Sequence, residues 1–338
     1  MERIIVTGAC GFIGMHTCIS LLKKKNINIL GLDNLNNYYD INLKLKRNEI
    51  LSKYKNYKFK KIDICNKKAI LNIFKNYKPE YVIHLAAQAG VRYSFISPVD
   101  YNNSNLLGFL NILEACVSCN VKHLTYASSS SVYGANKKIP FAEEDHVNHP
   151  LSYYAATKRA NELMAHVYSS AYNLPTTGLR FFTVYGPWGR PDMAYFLCAK
   201  AIIKKKSINL HEGGNMLRDF TYIDDAVKVL KKIYKKIPKK NRIIKNNNSK
   251  LNSSSSNFLV LNVGSHKPVK VITLVKLLEK EFKSKLNFKI IPLKRGELMK
   301  TYASTKMLKK YINAVPNTRF DKGIHKFANW FKYYIRMT

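Results

Sequence analysis

Apolar positions in the first half of the chain follow two alternating patterns. Short apolar runs typical of buried strands occur in "RIIVTG", "NINILGLD", "YKFKKIDI", "YVIHLAA" and "VKHLTYASS". Stretches with helical periodicity separate them, including residues 12–22 and residues around 106–119. Because strands that alternate with helices are typical of parallel sheets, the pattern predicts an α/β fold with a doubly wound parallel sheet.

The regular alternation ends near Arg180. Gly and Pro cluster in "YGPWGRPDM", which indicates loops, and "VITLVKLLEKEF" belongs to a later, smaller mixed α/β region. We predict three units along the chain: a larger cofactor-binding domain, a smaller substrate-binding domain and a flexible low-complexity loop. They comprise, respectively, residues 1–185 with about 222–236 and 257–264, residues 186–221 with 265–338, and residues 237–256.

The chain is strongly basic, because 57 Lys and Arg residues against 21 Asp and Glu residues give a formal net charge of +36. Lys is scattered along the whole chain and far outnumbers Arg, the residue that favours planar, bidentate recognition. We therefore interpret the charge as solvated surface and expect no nucleic-acid partner. The alternative is a protein that binds nucleic acid or anionic membrane through this basic surface.

Other features bear on location and metal binding. The chain contains no apolar run long enough to predict a membrane span, and a strand beginning at Arg3 leaves no room for a signal peptide. The six cysteines do not indicate a disulfide framework, so we expect reduced thiols and a cytoplasmic location. Cys116 and Cys119 form a CxxC in an apolar helical stretch, and His84 ends a predicted strand. We interpret all three as packing residues and expect no metal site.

The segment "VTGACGFIG" places Gly8, Gly11 and Gly14 where the first predicted strand meets the first helix. Glycines at this spacing permit a tight turn and a close approach of the backbone to a pyrophosphate, as in Rossmann-type domains. The second predicted strand ends at Asp33, whose carboxylate can accept hydrogen bonds from both ribose hydroxyls of NAD and would repel the 2′-phosphate of NADP. Asp63, at the end of the third, is predicted to face the adenine.

Tyr154 and Lys158 in "YYAATK" lie one helical turn apart, and so share one face of a predicted helix. An ammonium beside a phenol favours the phenolate, so we expect Lys158 to lower the pKa of Tyr154 toward neutrality. Such a tyrosine can take a proton from a sugar hydroxyl while hydride leaves the same carbon. Four consecutive serines follow the fifth predicted strand, and Ser129 is the candidate to hold the reacting oxygen.

Several longer segments resemble the extended short-chain dehydrogenases/reductases, within them the nucleotide-sugar epimerases, and most narrowly the UDP-glucuronate 4-epimerases. The resemblance covers nearly the whole chain and is carried by "LDNLNNYYD", "HLAAQAGVRYS", "SSSSVYGANKK", "FFTVYGPWGRPDM" and "LRDFTYIDD". It implies that Tyr154 is the acid/base, with Lys158 as its partner and Ser129 as the hydroxyl donor. It also implies a homodimer formed through paired helices.

The resemblance implies further contacts to NAD and to a UDP-sugar. The additional NAD contacts are Phe12, Ile13, Asn34, Ile64, Leu85, Ala86 and Ala87. The nucleotide-sugar contacts include Arg92, Arg218 and Lys294. The family often has an Arg-x-Gly-Asp signature where this chain has "KRGE", which offers Lys294 and Glu297 instead.

Residues beside Ser129 favour an acidic sugar. Related dehydratases and decarboxylases carry acidic residues where this chain has Ser130 and Ser131, and many hexose epimerases carry Asn where it has Thr183. Hydroxyls suit a carboxylate, and Arg190 is a candidate charge partner, with a phosphate or structural contact as its alternative role. The predicted reaction is C4 epimerisation of UDP-glucuronate to UDP-galacturonate through a 4-keto sugar. The alternatives are a 4-epimerase of a neutral UDP-sugar and an NAD-binding regulatory protein without catalysis.

Overall fold

Parallel strands form the central sheet of the protein, whose computed structural model describes residues 1–240, 254–293 and 296–337. The sheet has seven strands in the order β10-β6-β5-β4-β1-β2-β3, and all neighbouring pairs are parallel. Their bounds are β1 Glu2–Thr7, β2 Ile27–Asp33, β3 Tyr57–Lys61, β4 Tyr81–His84, β5 His123–Ser129, β6 Thr176–Phe181 and β10 Phe258–Val263. The predicted doubly wound parallel sheet is thereby confirmed.

Helices connect and cover these strands. The helices are α1 Phe12–Leu22, α2 Ile41–Ser52, α3 Lys67–Tyr77, α4 Pro98–Tyr101, α5 Gly108–Ser118, α6 Tyr153–Ala171, α7 Ala194–Ile203, α8 Ile223–Ile233, α9 Val271–Phe282, α10 Lys306–Ile312 and α11 Phe320–Met337. A π-helical segment, Asn102–Leu107, joins α4 to α5, so the helical region begins well before the predicted residue 106. Ser152 caps α6, because its hydroxyl accepts a hydrogen bond from the backbone N–H of Ala155.

Two smaller sheets lie in the second half of the chain. In one, β9 Leu217–Tyr222 pairs with β7 Thr183–Tyr185, β11 Pro268–Lys270 and β13 Lys300–Thr301. In the other, β8 Ile208–His211 pairs in parallel with β12 Phe288–Ile291. The buried carboxylate of Asp219 on β9 accepts backbone hydrogen bonds from Ser265, His266 and Ala303, and so ties three separate segments together.

One large apolar core extends from the main sheet to the C-terminal helices, and it includes Ile4 on β1, Leu274 on α9 and Phe331 on α11. The predicted flexible loop, 237–256, lies mostly outside the described residues. Within the described part of the chain, none of the helices combines the length and apolarity that a bilayer span requires. The third strand ends at Lys61, two residues before the predicted end at Asp63.

Candidate active site

A cavity of approximately 890 Å³ opens at the carboxyl ends of the central parallel strands. In a parallel sheet these ends lie along one edge, which is where ligands bind in such folds. The cavity is lined by residues from both halves of the chain. Those predicted from the sequence are Gly8, Gly11, Phe12, Ile13, Gly14, Asp33, Asn34, Ile64, Leu85, Ala86, Ala87, Arg92, Ser129, Ser130, Tyr154, Lys158, Thr183, Arg190 and Arg218.

Among the predicted site residues that the structure describes, Asp63 is absent from this lining. The carboxylate of Asp63 accepts hydrogen bonds from the backbone N–H of Cys65, at 2.8 Å, and from Asn34 Nδ2, at 3.0 Å. It therefore orders the turn after β3, and the contact of Asp63 with the adenine stays a prediction. Lys294 lies outside the described residues.

The glycine loop has the geometry of a phosphate cradle. Gly8 adopts a φ of +69°, and a Cβ there would lie 2.7 Å from the backbone nitrogen of Ala86. A Cβ at Gly14 would collide with the carbonyl oxygen of Gly8. Helix α1 begins after Gly11 without a side-chain cap and without an acidic residue in its first turn. Its first N–H groups are consequently available to an anionic ligand such as a pyrophosphate.

Asp33 lies at the end of β2, as predicted, and its side chain is almost fully buried against the glycine loop. Its two oxygens accept hydrogen bonds from the backbone N–H groups of Cys10, at 3.0 Å, and Leu35, at 2.9 Å. Burial raises the pKa of this carboxyl, whereas these hydrogen bonds and the charge of Lys44 oppose the rise. The carboxylate is thus held rigidly at the cavity wall with lone pairs left for further donors.

Tyr154 and Lys158 lie on one face of α6, but their electrostatics differ from the prediction. Burial raises the pKa of Tyr154, while its hydrogen bond with Ser129 and the charge of Arg190 lower it. The ammonium of Lys158 donates a hydrogen bond to the carbonyl of Ala127, at 2.9 Å. The expected lowering of the Tyr154 pKa by Lys158 is therefore corrected: burial dominates, and Arg190 is the cation that acts on the phenol.

The serine run divides its hydroxyls between the cavity and the sheet. Ser129 accepts hydrogen bonds from the backbone N–H of Ser131, at 3.2 Å, and from its hydroxyl, at 2.9 Å. Ser130 begins a short 3₁₀-helix and lines the cavity. Ser128 also borders the cavity, but its hydroxyl donates to the buried Glu162 on α6. This division follows from the alternation of side chains along a strand.

Arg190 lies in the cavity beside a carboxylate that the sequence analysis did not assign. Its Nε donates to Asp192 Oδ1 at 3.0 Å, and its Nη2 donates to the other oxygen. Burial opposes the charge on Arg190, but Asp192 holds the pKa of Arg190 above its usual range. The hydroxyl of Tyr38 also donates to Asp192, at 3.3 Å. A guanidinium has five N–H donors, so Arg190 retains donors for a ligand.

Arg92 and Arg218 converge on Glu297 at the other end of the cavity. Arg92 Nε donates to Glu297 Oε1 at 2.7 Å, and Arg218 Nη2 lies 3.9 Å from Oε2. Burial lowers the pKa of Arg218, and the charge of Glu297 opposes this. The two arginines and the carboxylate form a basic group suited to phosphate or ribose.

Sequence reasoning missed Tyr38, Asp192 and Glu162 as parts of the site. Tyr38 and Asp192 occur in segments that carry the family resemblance, yet nothing in their spacing shows that they meet across more than 150 positions. Glu162 had a local signal, because it follows Lys158 by one helical turn. The described residues hold no group of three or more His, Cys, Asp or Glu side chains placed to bind a metal.

The fold and the site together define an enzyme of the Rossmann-type, extended short-chain dehydrogenase/reductase class. The chain belongs to the NAD dependent epimerase/dehydratase family, whose model matches residues 4–245. The resemblance inferred from the sequence motifs is thereby confirmed.

Individual relatives match over nearly the whole chain. Protein CapI of Staphylococcus aureus is 43% identical over 99% of each chain. The probable UDP-glucuronate 4-epimerase of Rhizobium meliloti is 40% identical over 97% of this chain and 96% of its own.

Solved structures of two related enzymes share the fold. The UDP-glucuronic acid 4-epimerase of Bacillus cereus, in complex with UDP-glucuronic acid and NAD, superposes with a TM-score of 0.87 at 28% identity, covering 98% of this chain and 100% of that one. The UDP-glucose 4-epimerase of Thermotoga maritima, with UDP-glucose, gives a TM-score of 0.83 at 26% identity, covering 99% and 100%.

Replacement of Asp33 by Ala is expected to weaken NAD binding roughly ten- to hundredfold, because charge-assisted hydrogen bonds to a ribose are lost. The same change should narrow the preference for NAD over NADP, since the repelling carboxylate is gone. Isothermal titration calorimetry with both nucleotides measures the two effects. Asp224→Ala, at an exposed position, is the control. Equal affinity of the unmodified protein for NADP and NAD would refute the role of Asp33.

Proposed function

We propose that the protein is an NAD-dependent isomerase that interconverts UDP-glucuronate and UDP-galacturonate by epimerisation at C4 of the sugar. The observation that carries the proposal is the composition of the sugar end of the cavity. There the candidate acid/base Tyr154 lies with Ser129, with the hydroxyls of Ser130 and Thr183, and with Arg190. Relatives and solved structures with the corresponding activity in their names support it.

The described residues fit NAD as the cofactor. The glycine cradle leaves room that a Cβ would fill, the start of α1 is uncapped, and Asp33 stands at the end of β2. When bound, NAD supplies an acceptor and donor of hydride for the sugar carbon. We further propose that the central sheet serves the cofactor and the smaller sheets serve the UDP-sugar, following the domain division predicted from the sequence.

The proton chemistry falls to Tyr154. Its hydroxyl must be deprotonated to accept the C4 proton, and burial alone opposes this. The hydrogen bond with Ser129 and the charge of Arg190 favour the phenolate. Lys158, one turn later on the same helix face, holds the end of β5 beside Ser129 through the carbonyl of Ala127. Tyr154 then takes the proton from the C4 hydroxyl and returns it after the ketone has turned over. Ser129 holds the C4 oxygen by hydrogen bonding during both steps.

The sugar carboxylate explains the surplus of hydroxyls. A carboxylate transferred from water into a closed cavity needs replacement donors, because an unpaired buried charge is very costly. Ser130 and Thr183 offer neutral donors, and Arg190 offers the charged one, with Asp192 holding its orientation. The 4-keto intermediate is a β-keto acid, which loses carbon dioxide readily. Donors that hold the carboxylate near the plane of the developing enolate oppose that loss.

The direct experiment incubates the purified protein with UDP-glucuronate and, separately, with UDP-glucose, and resolves the products by NMR. Conversion of UDP-glucuronate to UDP-galacturonate, with much slower turnover of UDP-glucose, is expected. Preference for the neutral sugar would move the protein to the alternative class of neutral UDP-sugar 4-epimerases.

Replacement of Tyr154 by Phe is expected to lower turnover at least a hundredfold, because general acid–base catalysis is removed while the ring packing remains. The adjacent Tyr153→Phe is the matched control, since that side chain is partly exposed outside the cavity lining. Product formation is followed by NMR, and bound NAD is quantified after denaturation. Near-normal turnover of Tyr154→Phe would contradict the assignment.

Replacement of Arg190 by Ala is expected to slow turnover of UDP-glucuronate roughly ten- to hundredfold. This factor corresponds to the loss of a hydrogen bond to a charged group, which contributes about 1.5–3 kcal/mol. Residual activity on UDP-glucose should be spared, and released carbon dioxide with a pentose product should increase. Arg319→Ala is the control, because Arg319 forms the same kind of two-point pair with Asp321 on the exposed surface. An equal fall for both sugars, without pentose, would identify Arg190 as a general nucleotide contact.

We also propose that two copies of the chain associate through α6 and the helical region Pro98–Ser118, which pack side by side. Apolar residues on these helices are exposed, including Val99 at 65%, Leu163 at 53% and Val167 at 56%. Light scattering should show a dimer, and Leu163→Lys with Val167→Lys should give a monomer. Ile290→Lys, on β12, is the control at a 70% exposed position. A monomeric unmodified protein would refute the proposal.

A further inference from the structure

A buried carboxylate lies directly behind the candidate catalytic groups. Glu162 follows Lys158 by one turn of α6 and is only 1% exposed. Its Oε1 accepts hydrogen bonds from Ser128 Oγ, at 2.7 Å, and from Arg180 Nε, at 2.8 Å. Its Oε2 accepts from Arg180 Nη2, at 2.9 Å, and from Arg159 Nη1, at 3.0 Å. All of its acceptor capacity is therefore directed at groups on α6, β5 and β6.

These hydrogen bonds fix the end of β5 against helix α6. Ser128 stands between Ala127, whose carbonyl accepts from Lys158, and Ser129, which contacts Tyr154. Each of the residues 127–129 is consequently in contact with a side chain of α6. A shift of Glu162 would move Ser128, and with it the Ser129 hydroxyl relative to Tyr154.

The charge of Glu162 also acts on Lys158. Burial lowers the pKa of Lys158 to about 8, and the negative charge of Glu162 opposes that lowering. His84 on β4 also interacts with the charge of Lys158, and Tyr154 precedes Lys158 by one turn of α6. Around Glu162, the charged groups are Arg159 on α6 and Arg180 on β6. Burial lowers the pKa of His84 to about 3, so this imidazole is neutral under ordinary conditions.

We infer that Glu162 is a positioning residue, which holds the end of β5 through Ser128 and places a buried negative charge one helical turn from Lys158. The inference rests on the proposed role of Tyr154 and Lys158 in proton transfer. Glu162 itself lies outside the cavity lining and touches neither cofactor nor sugar. Its effect is transmitted through one hydrogen bond and one charge.

The test compares Glu162→Gln, Glu162→Asp and the double variant Glu162→Gln with Arg180→Met. Because Gln alone leaves the buried Arg180 without its counter-charge and can prevent folding, the double variant removes both charges together. Asp keeps the charge and serves as the conservative rescue. Glu114→Gln is the matched control, because Glu114 makes a surface ion pair with Lys67 on other helices.

The first measurement is the pKa of Lys158 itself, from NMR of ¹⁵N-labelled lysine ammonium groups, with the signal assigned by its absence in Lys158→Met. Loss of Glu162 charge should lower this pKa by about one unit, the lower end of the effect of a nearby opposite charge. Glu162→Asp and Glu114→Gln should leave it near the unmodified value. Because the double variant also lacks the positive charge of Arg180, its reference is Arg180→Met alone, from which it differs only in the charge at position 162. An unchanged Lys158 pKa between these two variants would overturn the electrostatic part of the inference.

The second measurement is the pH dependence of turnover of UDP-glucuronate. Lys158 is protonated below its pKa, so activity should fall as pH rises through that value, and the fall should begin about one unit earlier without Glu162. If turnover fell by the same factor at all pH values, and its decline at alkaline pH began at the same pH as in the unmodified protein, the electrostatic role of Glu162 would be overturned. If the unmodified protein turned over no UDP-glucuronate, the proposed function would fail, yet the NMR titration would still decide the role of Glu162.

Discussion

The contact between helix α6 and the carboxyl end of strand β5 is the constraint on which the whole site depends. Lys158 reaches the carbonyl of Ala127, while Glu162, one turn later, holds the hydroxyl of Ser128. Tyr154, one turn earlier, thereby meets Ser129. The helical period of α6 thus presents Tyr154, Lys158 and Glu162 on one face, where each contacts a residue of 127–129 at the end of β5. Parallel pairing places the glycine loop after β1 along the same edge, so cofactor and sugar sites can meet there.

Burial, more than net charge, governs the electrostatics of this site. The surplus of positive charge is distributed over the surface, but the cavity balances its cations locally, Arg190 with Asp192 and Arg92 with Glu297. Burial raises the pKa of Tyr154 and lowers that of Lys158, so each is shifted toward its neutral form. Catalysis needs the opposite forms, and the charges placed around the pair must supply the difference.

Local sequence patterns predicted the sheet and the glycine loop, whereas the resemblance to a known family supplied many of the other cavity residues. Five strands, α1 and the glycine loop follow from periodicity and turn chemistry. The region of Asp63 illustrates the limit of such patterns. Strand β3 ends at Lys61, two residues before the predicted end, and the carboxylate of Asp63 accepts hydrogen bonds from Cys65 and Asn34 in the following turn. The pairing of Tyr38 with Asp192 depends on contacts between distant segments, which no local pattern contains. The electrostatic partner of Tyr154 likewise depends on burial, which the sequence alone does not specify.

A buried ion pair is weak grounds for stability, because the cost of removing two charges from water can exceed their attraction. Glu162 and Arg180 would therefore be a poor choice if they served packing alone, since apolar side chains of similar volume can stabilise such a position as well. Their position beside the end of β5 lets them act on the site. An apolar pair could neither receive the hydroxyl of Ser128 nor place a negative charge one turn from Lys158. The run of serines at the end of β5 then has a physical explanation. The hydroxyl of Ser128 binds the buried carboxylate of Glu162, while Ser129 and Ser130 line the cavity.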